Sequence, residues 1–178
     1  GTFNLKKADV MYGIGGLIGY LRSYTGNTDS TVLIDCYNTA NIKAGFMIGG
    51  LLANVDYSST VKNKIVLRGC YNTGNIESAA TTTSKSNGAV GGISVLTLPG
   101  LVIDNCYNTG DVMAVFGAGG IAGNLGMGTS KIISCRNSGE VQVSDSRAGG
   151  IVGQCTSAGA EVTDCFNTGN ITNLATTV

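Results

Sequence analysis

A short phrase that recurs five times constrains the fold of this 178-residue chain more than any other feature. Each copy begins with cysteine and ends with the turn-forming residues Asn, Thr or Ser, and Gly or Ala. The copies are Cys36-Tyr-Asn-Thr-Ala, Cys70-Tyr-Asn-Thr-Gly, Cys106-Tyr-Asn-Thr-Gly, Cys135-Arg-Asn-Ser-Gly and Cys165-Phe-Asn-Thr-Gly. They begin 34, 36, 29 and 30 residues apart. A period of this size is typical of proteins built from stacked, similar units.

A second phrase, built on two consecutive glycines, alternates with the first. Its copies are Gly15-Gly-Leu-Ile-Gly, Gly49-Gly-Leu-Leu-Ala, Gly91-Gly-Ile-Ser-Val, Gly119-Gly-Ile-Ala-Gly and Gly149-Gly-Ile-Val-Gly. The alternation predicts one repeat domain over residues 1–178, with units centred on Cys36, Cys70, Cys106, Cys135 and Cys165.

Three positions of the repeat stay aliphatic in all copies. The third residue before Cys is Leu33, Leu67, Ile103, Ile132 or Val162; the sixth after it is Ile42, Ile76, Val112, Val141 or Ile171; the third of the glycine phrase is Leu17, Leu51, Ile93, Ile121 or Ile151. Bend residues (Asp35, Gly69, Asn105, Ser134, Asp164) and the Asn-Thr-Gly turn separate the apolar segments. Such short, β-branched segments between turn residues predict three short strands per repeat.

A unit of about 30 residues cannot bury its apolar face alone, but it can when it stacks on copies of itself. The sequence therefore predicts an all-β fold, a parallel β-solenoid of about five coils, and the usual crossover chirality predicts right-handed winding. At roughly 4.8 Å per coil the stack is about 24 Å long. Equivalent residues form ladders along its axis, in which Asn72 and Asn108 are expected to exchange amide hydrogen bonds.

Composition excludes several classes of function. Glycine accounts for 28 of 178 residues, and 43% of the chain is hydrophobic, which fits short strands with tight turns rather than a disordered linker. The 11 basic and 11 acidic residues cancel, so neither a nucleic-acid partner nor an anionic membrane is favoured. The absence of histidine removes the commonest general base and metal ligand. The long uncharged stretches contain many glycines, and no membrane insertion is expected.

The two ends lie in mid-repeat. Ala8-Asp9-Val10 is similar to the residues that follow the turn in other copies, and Asn170-Ile171-Thr172 has the same phase. This suggests a segment of a longer protein, with the rest of the polypeptide stacking at one or both ends. Stretches that differ in length between copies, residues 20–31, 54–64 and 77–90, are predicted to be loops.

The glycine phrase followed by Cys-Tyr-Asn-Thr-Gly resembles the GLUG repeat, as in Gly16-Leu-Ile-Gly and Gly150-Ile-Val-Gly. That repeat occurs in bacterial cell-surface and secreted proteins, including immunoglobulin A proteases and surface proteins of gut anaerobes. The resemblance covers about residues 13–171 and implies an extracellular or cell-surface location, with no catalytic residues to transfer. Two copies depart from it, with Ala53 and Val95 in place of the last glycine. The protease relatives need a zinc motif with histidine, which this chain lacks.

Asp111 and Glu140 are the acidic pair that invites a catalytic interpretation. Both stand five residues after Cys in consecutive coils, so stacking places them about 5 Å apart, the separation of a retaining glycosidase pair. The other copies carry Asn41, Asn75 and Asn170 there, which is typical of a turn position. A turn role is favoured, with a cation or sugar site as the alternative.

Tyr37, Tyr71 and Tyr107 follow Cys in three copies, and Arg136 and Phe166 follow it in the others. If they point outward, they form an aromatic stripe that can contact glycans or a partner. If they point inward, they fill the core. The sequence leaves both interpretations open.

The five ladder cysteines are predicted to be reduced and buried. Five equivalent positions cannot pair without a remainder, and side chains that share one rotamer point the same way. Buried thiols of this kind act as small hydrophobes with a raised pKa. Their spacing of about 30 residues lacks the close pairs of a zinc site, so no metal or cofactor is expected. Cys155 lies outside the ladder, and the sequence assigns it no role.

Together with the absence of a clustered catalytic motif, the resemblance to the GLUG repeat implies a non-enzymatic repeat module of a bacterial cell-surface protein, with an adhesion or spacer (stalk) role. Its partner would be a host or cell-surface protein or a glycan. The alternative is a carbohydrate-active or glycan-binding β-helix, which would require a polar cleft with clustered carboxylates.

Overall fold

The structure is a computed structural model that describes residues 2–4, 13–22, 30–45, 47–56, 64–79, 89–97, 100–126 and 128–174. All regular elements in these residues are β-strands, which confirms the all-β prediction. Nowhere in this part of the chain is there a helix with the length and apolarity that a bilayer crossing requires.

The strands recur in groups of five, one group per coil. β1 (Thr2–Asn4) precedes the first coil, which contains β2 (Ile14–Gly15), β3 (Ile18–Arg22), β4 (Thr31–Ile34), β5 (Tyr37–Asn38) and β6 (Asn41–Ala44). The second contains β7 (Ile48–Gly49), β8 (Leu52–Asp56), β9 (Ile65–Arg68), β10 (Tyr71–Asn72) and β11 (Ile76–Ser78). The third contains β12 (Ala89–Gly91), β13 (Ser94–Thr97), β14 (Leu101–Asp104), β15 (Tyr107–Asn108) and β16 (Val112–Ala114). The fourth contains β17 (Gly117–Gly119), β18 (Ala122–Leu125), β19 (Lys131–Ile133), β20 (Arg136–Asn137) and β21 (Val141–Val143). The fifth contains β22 (Arg147–Gly149), β23 (Val152–Cys155), β24 (Glu161–Thr163), β25 (Phe166–Asn167) and β26 (Ile171–Asn173).

Each strand pairs in parallel with its counterpart in the next coil. The described residues form five parallel sheets along the axis, four of five strands and one of six, because β1 adds to the edge of β6. The repeat phrases are in register: Tyr71 lies opposite Tyr107, and Asn72 lies opposite Asn108. The parallel β-solenoid of stacked coils is therefore confirmed.

The prediction of three strands per coil is wrong, since each described coil has five. One extra strand arises at the glycine phrase, where the residues after Gly49 turn a corner and divide one apolar segment into β7 and β8. The other is the two-residue strand that ends at the buried asparagine, such as β10. It is too short to produce an apolar pattern of its own.

The first strand also differs from the prediction. Phe3 of β1 lies opposite Ile42, so Thr2–Asn4 occupies the position that the sequence assigns to Ala8-Asp9-Val10. Those three residues lie outside the described part of the chain, as does most of each predicted loop.

The aliphatic ladders form the core. Leu67, Ile103 and Ile132 lie inside the stack with no exposed surface, as do Leu51, Ile93 and Ile121 of the glycine phrase. A second cluster contains Ile76, Val112 and Val141. The two departures from the glycine phrase are accommodated because Ala53 and Val95 are fully buried and pack together with Met47.

The bend before each cysteine has a left-handed backbone. Asp35, Asn105, Ser134 and Asp164 have φ between 49° and 53°, and Gly69 has φ 63°. Asn, Asp and Gly tolerate this region best, which explains the residue types that recur there. The bend turns the chain between the strand that contains the buried aliphatic residue, such as β9 with Leu67, and the two-residue strand that ends at the asparagine, such as β10 with Asn72.

Five asparagines form a continuous ladder through the interior. In each step the side-chain Nδ2 of one asparagine donates to Oδ1 of the next, at 2.8 Å from Asn38 to Asn72, from Asn72 to Asn108 and from Asn108 to Asn137, and at 2.7 Å from Asn137 to Asn167. Each amide also donates to the carbonyl two residues later, such as Gly110 at 2.7 Å from Asn108. The predicted exchange of hydrogen bonds is confirmed.

The second glycine of each glycine phrase packs against this ladder. A Cβ added at Gly120 would lie 2.2 Å from the carbonyl oxygen of Gly150 and 2.3 Å from Cγ of Asn137. Neither neighbour is a flexible chain end, so the corner admits only glycine. The second glycine of the glycine phrase and the asparagine of the cysteine phrase are therefore in direct contact.

The cysteines form a second interior ladder. Cys70, Cys106 and Cys135 are buried, Cys36 and Cys165 of the end coils are half-buried, and all six cysteines are free thiols. The Sγ of Cys106 lies 3.5 Å from the carbonyl oxygen of Leu67 in the preceding coil. The prediction of free thiols agrees with the structure, whereas full burial holds only for the three inner coils.

The thiol pKa values do not all rise as predicted. The thiols of Cys135 and Cys70, together with burial, hold the pKa of Cys106 well above its usual range. Hydrogen bonding from Cys106 lowers the pKa of Cys70 to about 6 and also lowers that of Cys135. A thiol that donates to its neighbours favours their thiolate and disfavours its own.

Candidate functional site

The tyrosine ladder lies on the surface. Tyr37, Tyr71 and Tyr107 are the first residues of β5, β10 and β15, and each side chain points away from the buried asparagine that follows it. Tyr37 is 55% exposed. This settles the direction that the sequence left open: the residues form an outward stripe and do not fill the core.

The three rings stack face to face along the axis. The ring centroids of Tyr37 and Tyr71 are 4.9 Å apart with an interplanar angle of 4°, and those of Tyr71 and Tyr107 are 4.8 Å apart at 5°. Register imposes this spacing, because equivalent atoms of adjacent coils are separated by one strand-to-strand distance. Partial burial, with the neighbouring Tyr107 and Tyr37, raises the pKa of Tyr71 above its usual value.

The stripe continues into the last two coils. The guanidinium carbon of Arg136 lies 4.9 Å from the ring centroid of Tyr107, a cation–π contact, and Phe166 lies opposite Arg136 in the register. We call the five residues Tyr37, Tyr71, Tyr107, Arg136 and Phe166 the aromatic strip. Within the stack the faces of the rings contact one another, so the strip presents ring edges and hydroxyl groups to solvent.

The side chain of Asp111 accepts a hydrogen bond from the backbone of the next coil. Its Oδ1 accepts the backbone N–H of Glu140 at 3.0 Å, and its own N–H donates to Oδ1 of Asn75 at 3.1 Å. Asn41 accepts the N–H of Asn75 in the same way at 2.9 Å. A carboxylate oxygen and an amide oxygen accept the same backbone hydrogen bond at this position, which explains why both Asp and Asn occur there.

Glu140 has a different environment. Its Oε1 accepts a hydrogen bond from the Thr172 hydroxyl at 2.9 Å, and hydrogen bonds from Gln142 and Thr172 lower the pKa of its carboxyl group. The general acid of a glycosidase needs a raised pKa, so that it holds a proton near neutral pH. The shift at Glu140 therefore has the wrong sign for that role.

A shallow groove lies beside this pair. It has a volume of about 130 Å³ and is lined by Asn75, Ile76, Glu77, Asp111, Val112, Met113 and Gln142. Small-molecule sites usually have about 300–1,000 Å³. Glu77, the other carboxylate of the groove, is paired with Lys43 of the preceding coil. The groove is small for a sugar ring, and its acidic groups are already engaged.

The described residues contain no group of three or more Cys, Asp or Glu side chains placed to hold a metal ion. The ladder cysteines lie on one line along the axis, and a line of ligands does not surround a centre. Cys155 is exposed at the end of β23, and its Sγ lies 3.8 Å from the carbonyl oxygen of Ser157.

Among the described residues, three ion pairs join adjacent coils, and sequence reasoning missed them. Lys43 pairs with Glu77, Arg68 with Asp104 at 3.0 Å, and Lys131 with Glu161 at 2.8 Å. Each pair consists of register partners on adjacent strands. An alignment of the outward positions would have found them, since in each case an acidic residue occupies the position of a basic residue in the preceding repeat. Exposed pairs of this kind contribute about 0–1 kcal/mol each, so they favour the correct register more than overall stability.

No protein-family model, curated protein or solved structure matches the chain. The resemblance to the GLUG repeat therefore rests on the two phrases themselves and stays a prediction.

Proposed function

We propose that the chain is a non-enzymatic repeat module of a bacterial cell-surface protein, in which it serves as a stiff spacer and offers its flank for adhesion. The observation that carries this proposal is the use of the polar side chains. Asparagines, turn carboxylates and ion pairs bond from coil to coil along the axis instead of converging on a cleft.

A spacer requires stiffness along its axis. Here each described coil is joined to the next through five parallel strand pairs, one hydrogen bond between asparagine side chains, and one contact of a cysteine Sγ with a backbone carbonyl oxygen of the preceding coil. Bending the stack would open several of these interactions together on one side. The stack of about 24 Å is consequently expected to behave as one rod.

Adhesion requires an accessible surface, and the aromatic strip supplies one. Aromatic residues and arginine are enriched at protein interfaces, and the strip places five such residues on one line across all coils. Predicted loops 20–31, 54–64 and 77–90 are further candidates because they vary between copies. Ser78 and Ala79, however, belong to the coil: they bond to the carbonyl oxygens of Gly45 at 2.9 Å and Ala44 at 2.7 Å.

The alternative of a carbohydrate-active or glycan-binding module gains no support from the site. The lowered pKa of Glu140 and the engaged carboxylate of Asp111 speak against acid–base catalysis. The stacked tyrosines have their ring faces in mutual contact, whereas a sugar stacks on a free face.

Binding to host cells and to a glycan array tests the proposal. The unmodified chain should bind a cell-surface protein or glycan, and the double variant Tyr37→Ala/Phe166→Ala should lose that binding. A matched control, Thr39→Ala/Thr73→Ala, changes two exposed residues of the neighbouring ladder and should keep it.

A polysaccharide hydrolysis assay tests the non-enzymatic part. We expect no product with the unmodified chain. Turnover that disappears in Asp111→Asn and in Glu140→Gln would show that the pair is catalytic and would overturn the proposal. Surface location is tested separately, by antibody labelling of intact cells of the source bacterium, and an exclusively internal signal would contradict it.

A further inference from the structure

The sheet that contains β4, β9, β14 and β19 carries aliphatic side chains on its outer surface. Val32 and Ile34 of the first coil are 48% and 56% exposed. Val66, Val102 and Ile133 are half-buried at outward positions of the next three coils. The equivalent outward ladder of the sheet that contains β6, β11, β16 and β21 consists of Lys43, Glu77, Met113 and Gln142.

We call the outward residues of the first sheet the lateral face. They form one ladder of Val32, Val66, Val102 and Lys131, and a second ladder of Ile34, Arg68, Asp104 and Ile133. These residues lie on the side of the coils, so they stay accessible whatever stacks at either end of the solenoid.

The second ladder of the lateral face has both of its charges in the middle. Nε of Arg68 lies 3.0 Å from Oδ2 of Asp104, and both side chains reach solvent, at 58% and 29% exposure. Ile34 precedes this pair along the axis, and Ile133 follows it. The order along the axis is therefore apolar, basic, acidic, apolar. When a second copy runs in the opposite direction, this order is complementary to itself in both charge and polarity.

One placement of a reversed copy satisfies both charges. With the two-fold axis between the second and third coils, Arg68 of each copy faces Asp104 of the other, and Ile34 faces Ile133. An axis at the height of the second coil would set Arg68 against Arg68, and an axis at the third coil would set Asp104 against Asp104. An axis one coil spacing away from the favoured position leaves one of the charges facing an isoleucine. Two copies that run in the same direction at the same height would oppose like charges in both coils, which is unfavourable.

The first ladder agrees with the same placement. Val66 of one copy faces Val102 of the other, and Val32 faces Lys131. The ammonium group of Lys131 is paired with Glu161 at 2.8 Å, so its aliphatic stem is left to contact the valine.

The aromatic strip, on the far side of the bend, agrees as well. Tyr37 of one copy lies level with Arg136 of the other. Tyrosine and arginine already contact each other within the chain, where the guanidinium carbon of Arg136 is 4.9 Å from the ring centroid of Tyr107. The favoured placement therefore brings together compatible residue types in all three ladders.

We propose that two copies of the chain associate side by side and antiparallel through the lateral face, around a two-fold axis that crosses between the second and third coils. A second copy fits because it has the same coil-to-coil spacing of roughly 4.8 Å and meets four coils at once. The contact is isologous, so association closes at the dimer. Each copy contributes three ladders of four residues, fewer than the roughly 20–30 residues per side of a standard interface, so the dimer is a weak one. The inference does not depend on the proposed function.

Sedimentation velocity and multi-angle light scattering over a range of concentrations test this association. The mass of the unmodified chain should rise with concentration from that of the monomer and level off at that of the dimer. A constant monomer mass up to about 1 mM would overturn the proposal without any variant. Masses that continue to grow beyond the dimer would contradict the two-fold contact.

Charge reversal beside the two-fold axis tests the geometry. Arg68→Asp would set acidic residues against each other, and Asp104→Arg would set basic residues against each other. Each variant alone should therefore be monomeric at concentrations where the unmodified chain is a dimer. An equimolar mixture of the two should recover the dimer, because every basic residue then faces an acidic one. The double variant Arg68→Asp/Asp104→Arg should dimerise alone for the same reason.

Lys43→Glu is the matched control. It breaks the ion pair of Lys43 with Glu77, which also joins the first and second coils but lies on another sheet, and it should dimerise like the unmodified chain. Circular dichroism should show that all variants are folded, because exposed ion pairs contribute little to stability. Dimers of Arg68→Asp alone, or a mixture that stays monomeric, would refute the antiparallel contact. Loss of the dimer in Lys43→Glu would also refute it, because the lateral face is unchanged in that variant.

Discussion

Replacement of Asn108 by leucine tests whether the asparagine ladder stabilises the stack. Asn108 is 1% exposed and makes three buried hydrogen bonds. It donates to the Gly110 carbonyl at 2.7 Å and to Asn137 Oδ1 at 2.8 Å, and it accepts from Asn72 Nδ2 at 2.8 Å. Leucine has the same branched arrangement of side-chain heavy atoms but no polar group, so all three partners lose a hydrogen bond inside the stack.

The magnitude follows from those three partners. A buried polar group left without its partner costs about 1–3 kcal/mol. With the low end of that range for each group, Asn108→Leu should lower the free energy of unfolding by about 3 kcal/mol. In a chain of this size, 1 kcal/mol corresponds to roughly 2–4 °C in Tm, so a loss of about 6–12 °C is expected.

Urea denaturation monitored by far-UV circular dichroism measures the loss, and near-UV dichroism of the adjacent stacked tyrosines reports on local packing. Thr109→Val is the matched control, because Thr109 is the exposed neighbour and the change is isosteric. It should alter stability by less than about 0.5 kcal/mol. If Asn108→Leu were no more destabilising than this control, the ladder would not stabilise the fold.

Three further predictions concern the corner, the thiols and the tyrosines. Gly120→Ala should prevent folding or lower Tm sharply, because the added Cβ would lie 2.2 Å from a backbone oxygen. The control Gly117→Ala should fold normally, because its Cβ would lie 3.9 Å from the nearest atom. Equal Tm values for the two variants would contradict the packing of the corner. Thiol titration of the native protein should find Cys155 reactive and the buried Cys70, Cys106 and Cys135 protected. All six thiols should react after denaturation without reductant. Only two reactive thiols in the denatured protein would mean that cysteines of adjacent coils are cross-linked. The pKa of Tyr71 is raised in the folded state, so the folded state favours the neutral phenol. Its contribution to the free energy of unfolding is therefore complete below the unfolded pKa of about 10. That contribution is lost as pH rises through the folded pKa. Absorbance titration of the phenolates should include a late-ionising component that is missing in Tyr71→Phe, and identical curves would refute the shift.

The repeat phrases made much of this fold predictable. Alignment on cysteine alone identifies the ladders of Leu67, Cys70 and Asn72, because stacking places equivalent residues of adjacent coils in contact. The same alignment identifies position five after Cys as a turn, since Asn75 and Asp111 share one bonding role there.

Other features leave no signal of this kind. A two-residue strand such as β10 has no periodicity, and the corner after Gly49 divides a segment whose apolar pattern is continuous in sequence. The direction of Tyr71 could not be decided because the left-handed bend at Gly69 interrupts the alternation of inward and outward residues. β1 shares only an apolar central residue, Phe3, with the strands that it resembles in space, so its position was assigned to the wrong residues.

Scalar couplings across hydrogen bonds test the central claim, parallel and in-register stacking of the repeats, most directly. A long-range HNCO experiment correlates an amide nitrogen with the carbonyl carbon that accepts its hydrogen bond. The structure predicts couplings from Tyr71 to Cys36, from Tyr107 to Cys70, from Arg136 to Cys106 and from Phe166 to Cys135, with N···O distances of 3.0, 3.0, 3.0 and 3.1 Å. Couplings between strands of one repeat, or between repeats at a shifted register, would contradict the stacked solenoid.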